Sequence, residues 1–66
     1  MDIAKKIRIM LAQEDKKLVD LAELLETSQQ NLGAKMKRNN FSVNEMVEIA
    51  EVLGYELKIE FIKNER

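Results

Sequence analysis

Three amides in a row follow two hydroxyls near the middle of the chain, in Thr27-Ser28-Gln29-Gln30-Asn31. An amide presents a donor and an acceptor side by side, so glutamine can pair bidentately with adenine and can also hydrogen-bond guanine. Ala34 follows within about one turn, and a small apolar side chain there can meet a thymine methyl. Cations stand close by: Lys35, Lys37 and Arg38 lie in a stretch, residues 27–44, that contains no acid. Residues 3–13 likewise hold Lys5, Lys6 and Arg8 without an acid, while acids crowd residues 14–26 and 45–60. Taken whole, a net charge of −1 and a pI of about 5.4 argue against a polyanion binder. The segregation argues the other way, because a neutral chain with a separate basic segment presents a local positive footprint.

Other chemistries are closed by what is missing. The 66 residues include no cysteine, histidine, proline or tryptophan. Disulfides, the usual structural zinc sites and His- or Cys-based nucleophilic catalysis are therefore excluded. Glu45 and Glu48 share a helix face, but exposed acids at that spacing read as a solvated surface. The expectation is a protein that is not an enzyme, with no cofactor, no metal and no evident small-molecule ligand. No apolar run approaches the roughly 20 residues that span a bilayer. Met1-Asp2-Ile3-Ala4-Lys5-Lys6 lacks the apolar core of a secretory signal, so a cytoplasmic location is expected.

Elements that could position the amides follow from periodicity. Asp2 caps a first helix, about residues 2–13, with Ile3, Ile7, Met10 and Leu11 on one face. A second, about 17–25, places Leu18, Leu21, Ala22 and Leu25 together. Ser28 caps a third, about 28–37, whose buried side is only Leu32 and Met36. Phe41 is expected to turn inward from the loop that follows. Ser42-Val43-Asn44-Glu45 is a capping-box pattern opening a fourth helix, about 43–53, with Val43, Met46, Val47, Ala50 and Leu53 as its stripe and Gly54 as its stop. The period then changes to two: Tyr55, Leu57, Ile59 and Phe61 alternate with mostly polar neighbours, predicting a strand over about 55–62. The chain thus reads as one domain, residues 1–66, mainly α, of four short helices and a C-terminal β-strand.

At about 100° per residue, Gln30, Ala34 and Lys37 point away from the Leu32–Met36 side, flanked by Asn31, Gly33 and Arg38. Gln30 and Asn31 are the expected base readers, with Ala34 in close contact and Lys37 reaching base or phosphate. Lys35, Arg38, Asn39 and Asn40 at one end of the two-helix unit, and Lys16 and Lys17 at the other, are placed to clamp phosphates.

Val19-Asp20-Leu21-Ala22-Glu23-Leu24-Leu25 followed by Thr27-Ser28-Gln29-Gln30-Asn31-Leu32 resembles the helix-turn-helix of the lambda-repressor-like (Cro/C1-type) family. The Thr-Ser-Gln-Gln opening is similar to the recognition helix of some lambdoid phage repressors. Ile49-Ala50-Glu51-Val52-Leu53-Gly54 resembles the helix that follows in the family. The likeness implies a sequence-specific regulator of double-stranded DNA, of repressor type, with the third helix in the major groove and Gln29 on phosphate or base at its N-terminus. Family members usually have glycine at the turn, where this chain has Glu26, and Gly33 loosens the interior of the third helix. The acidic pI, Glu26 and Gly33 suit a different class, a protein-interaction module such as an antitoxin or antirepressor that keeps the fold without DNA readout.

A chain of this size buries only about 60% of its unfolded surface, so association is an expected supplement. Residues 55–62 have no internal strand to pair with. A homodimer would solve this, the two strands pairing antiparallel with Tyr55, Leu57, Ile59 and Phe61 covering the helical cores. The same twofold would set two recognition helices roughly 34 Å apart.

Overall fold

The computed structural model describes residues 2–65. Four helices follow in order: α1, Ile3–Gln13; α2, Leu18–Leu24; α3, Gln29–Arg38; and α4, Val43–Val52. All are shorter than the 12–15 residues or so at which an isolated helix becomes even marginal in water, so packing must hold them. Their starts are local. Asp2 accepts from the Lys5 amide at 3.0 Å, Ser28 from the Asn31 amide at 3.0 Å and Ser42 from the Glu45 amide at 3.1 Å. Glu45 completes the box by accepting from the Ser42 amide at 2.8 Å. α2 opens without a cap from its own N-cap residue, Lys17, whose amide instead donates to Asp20 Oδ2 at 2.8 Å.

The ends share one device. After each helix a single residue takes a left-handed backbone: Asp15 (φ 54), Glu26 (φ 56), Asn39 (φ 52) and Gly54 (φ 81). Its amide, and that of the next residue, turn back onto carbonyls of the last turn. The outer bonds are Lys16 to Leu11 at 2.9 Å, Thr27 to Ala22 at 3.0 Å, Asn40 to Lys35 at 3.3 Å and Tyr55 to Ala50 at 2.7 Å. This is the Schellman pattern, repeated four times, and only Gly54 carries the residue type that adopts it without a steric cost.

The core is the meeting of these short elements. Leu21 is fully buried, and α2 packs against both α3 and α4. Ala4, Ile7 and Leu11 of α1, Ala22 of α2, Leu32 and Met36 of α3, and Ile49 with Leu53 around α4 complete one apolar cluster. Phe41 lies against it from the α3–α4 loop, half-buried. The expected stripe of α4 is corrected in two respects. Ile49 is core, whereas Val43, the first residue of α4, is 51% exposed.

The C-terminal strand is the larger correction. Among the described residues there is no strand, and residues 55–65 are irregular. Tyr55 and Leu57 are half-buried along a cleft between α1 and α4 that includes Ile3, Met10 and Met46. The Tyr55 hydroxyl lies 2.9 Å from Glu14 Oε2 and 3.0 Å from Gln13 Oε1, fastening the start of the tail to the end of α1. Beyond that, Ile59 is 55%, Phe61 99% and Ile62 85% exposed, so Ile59 and Phe61 do not cover the core of their own chain. The reason is the requirement of a ladder: alternation makes a strand only where another edge supplies its hydrogen bonds, and a single chain has none to offer.

Glu26 at positive φ generates the first prediction. Glu26→Gly removes the left-handed penalty of an L side chain, offset by greater freedom of the unfolded chain, for a net stabilisation of up to about 1 kcal/mol. In a protein of this size that is a rise in melting temperature of roughly 4–8 °C. A lower melting temperature would mean that the Glu26 side chain makes a stabilising contact in solution.

Candidate nucleic-acid interface

α2 and α3 form the two-helix unit, joined through Leu25, Glu26, Thr27 and Ser28. Leu21 and Ala22 on α2 and Leu32 and Met36 on α3 are buried against one another and the rest of the core. Ala22 matters by its size, since a small side chain lets the two helices come close. Burying Leu32 and Met36 fixes the rotation of α3. Gln29, Gln30, Asn31, Ala34, Lys37 and Arg38 are all exposed as a result. Ser28 spends its hydroxyl on the Asn31 amide, so the start of α3 is held by a neutral cap and carries no acid in its first turn. Lys35, Lys37 and Arg38 occupy its last turn, where the helix dipole favours cations.

The cations at the other end, Lys16 and Lys17, are exposed in the α1–α2 loop. Asn40 is exposed after α3. Two expected phosphate ligands have engagements within the chain. Asn39 Oδ1 accepts from the Ala4 amide at 2.8 Å, tying the end of α3 to a free donor in the first turn of α1. The Lys35 ammonium is paired with Glu45 Oε2 across the α3–α4 corner, both side chains being more than a third exposed. From the sequence, Glu45 reads as a helix cap and as part of a solvated acidic face, with no partner on α3. The pairing left no local signal, because it joins residues ten apart on two helices whose relative placement depends on the core. The Lys35 ammonium, together with the Ser42 amide, holds the Glu45 carboxyl down from 4.5 to about 2.

Gly33 is half-buried within α3, and a Cβ placed there would meet nothing within 4 Å. The fold itself therefore does not require glycine at this position. Among the described residues no cluster of acids could hold a metal ion, and no helix is long and apolar enough to cross a membrane.

With four helices, the two-helix unit and an exposed acid-free α3 in place, comparison with known proteins decides the family. Residues 7–63 match the bacteriophage CI repressor helix-turn-helix domain. The chain belongs to that family. Membership supports a DNA-binding regulator of repressor type and agrees with the mainly helical fold. No curated protein and no solved structure gave a match.

The Lys35–Glu45 pair has a measurable signature. A carboxyl lowered on folding adds stability that is fully present above its unfolded value, near pH 4.5, and is lost as pH falls towards 2. A carbon-detected NMR titration should place the Glu45 midpoint well below the ordinary value of 4.5. Lys35→Met should return it towards the ordinary carboxylate range. A wild-type midpoint near 4.5 would show that the pair is not held in solution.

Proposed function

We propose that this protein represses transcription by binding a near-palindromic duplex site as a homodimer, with α3 of each copy in the major groove. The observation that carries this reading is the outward face of α3. It presents amides and cations, no acid, and only the small Ala34 between them, on a helix whose rotation is set by Leu32 and Met36. Gln30 and Asn31 read base edges, Ala34 approaches a thymine methyl, and Lys37 reaches base or phosphate. Gln29 lies at the N-terminus of α3, where free amides favour an anion, and contacts phosphate or the first base. Arg38 and Asn40 follow the backbone on one side and Lys16 and Lys17 on the other. Asn39 supports them by holding the end of α3 against α1. Lys35, with its ammonium held by Glu45, is not counted among these contacts.

The dimer is part of the same reading. The helical body leaves a projecting tail: the molecule extends 46 Å along its longest axis against 23 and 18 Å across, and Phe61 is 99% exposed. A second tail pairing antiparallel along residues 55–62 would satisfy the backbone of both and cover Ile59 and Phe61. Isologous pairing of this kind produces the twofold that a near-palindromic site requires.

Fluorescence anisotropy against duplex DNA, measured over a range of salt, tests the division of roles. Gln30→Ala should cost about 1–3 kcal/mol on the preferred site and relax preference at one or two base pairs. Arg38→Ala should weaken all sequences alike and reduce the salt slope by about one unit. Equal, sequence-independent losses from both would contradict the assignment.

Truncation after Gly54 tests the dimer. Sedimentation should show loss of the dimer, and a site with two half-sites should be bound more weakly. A truncated chain that sediments and binds like the full one would remove the tail from the assembly.

A further inference from the structure

Glu45 is the first acid after the acid-free stretch of residues 27–44, and its side chain reaches back into that stretch. From the first turn of α4 it spans the corner to α3, accepting the Ser42 amide at one oxygen and pairing with the Lys35 ammonium at the other. Among the described residues the ion pairs are Lys35–Glu45 and the largely exposed Lys58–Glu56. Of the three cations in the last turn of α3, Lys35 is thus the one whose charge is met by an acid.

Local structure does not require that charge, and the stability it adds is small. The capping box at the start of α4 needs an acceptor at its third position, which glutamine supplies as well as glutamate. A half-exposed ion pair adds little stability, being screened by water and opposed by side-chain entropy. Its effect on a polyanion is another matter, because each ammonium placed on a phosphate releases a counterion and appears directly in the salt dependence of binding. Around α3, Lys35 stands beside Asn31, one turn earlier, and Arg38, three residues on, so it borders the outward face. A four-carbon stem released from α4 has the length to swing towards the phosphates that Arg38 follows.

Building on the DNA-binding reading, we propose that Glu45 attenuates DNA affinity by holding the Lys35 ammonium against α4 and withholding it from phosphate. Glu45 makes no contact with DNA in this role. It acts through Lys35, and it lowers binding to all sequences alike.

The test uses the full chain and a mixed-sequence duplex, so that only backbone contacts are read. Glu45→Gln keeps the acceptor for the Ser42 amide and removes the charge. Its salt slope should steepen by about one unit, with a roughly three- to tenfold gain in affinity at about 0.1 M salt. Lys35→Gln alone should bind close to wild type, since its ammonium is already engaged. The double variant should lose the gain, which separates release of Lys35 from a general loss of negative charge. Circular dichroism of each variant checks that the helices are intact. A Glu45→Gln protein with wild-type slope and affinity overturns the inference, as does a gain that survives in the double variant. Both outcomes leave the DNA-binding reading standing. A wild-type chain and a Glu45→Gln chain that both ignore duplex DNA at low salt would remove that reading, and this inference with it.

Discussion

Each of the four helices has to stop abruptly, and the manner of its stopping governs how the helices pack. Four helices of 11, 7, 10 and 10 residues bury one small core only if the chain reverses within a few residues of each end. A left-handed residue, with its own amide and the next one returning to carbonyls of the last turn, does this each time. The device satisfies terminal carbonyls that would otherwise face water or the core, and it sets the direction in which the next helix leaves. Aspartate, glutamate and asparagine occupy three of the four left-handed positions, so part of the packing energy is offset by backbone strain. Leu21, fully buried where α2 meets α3 and α4, is at the centre of what compensates for it.

The interface inherits its geometry from those stops. Glu26 turns the chain between α2 and α3, and the burial of Leu32 and Met36 sets the rotation of α3. Asn39 has two roles at the far end. Its backbone ends α3, and its side chain accepts from the first turn of α1. Orientation of the outward face is thus held at both ends of the helix by backbone conformation and by hydrogen bonds to neighbouring elements. Charge is arranged on the same frame. Ser28 caps the start of α3 without charge and no acid stands in its first turn, while the acid at the start of α4 draws one of the three terminal cations aside.

The tail is the part left incomplete by one chain. Tyr55 and Leu57 rest on α1 and α4, with the Tyr55 hydroxyl fastened to Gln13 and Glu14 at the end of α1. From Ile59 onward the apolar side chains face solvent. Exposed apolar groups on a segment with no ladder partner are an association surface in waiting, which is the physical basis of the dimer proposed above.

The helices, the two-helix unit and the residues on the outward side of α3 are legible in the sequence. These follow from short-range rules: caps at Asp2, Ser28 and Ser42, apolar spacing in α1 to α3, and the 100° rotation that separates Gln30 and Ala34 from Leu32 and Met36. The left-handed turn at Glu26 was legible through family resemblance, whereas the one at Asp15 carried no such signal. Tertiary structure decided the rest. Whether Lys35 faces solvent or Glu45, and whether Asn39 is free for a ligand or bonded to α1, depends on how helices distant in sequence are brought side by side. Val43 shares the face of Met46 and Ala50 yet is 51% exposed at the first position of α4, because periodicity describes which residues share a face but not how deeply each is buried. The alternating tail failed to form a strand for the same kind of reason. Alternation specifies two faces, and a strand also needs an edge, which lies outside the segment that encodes it.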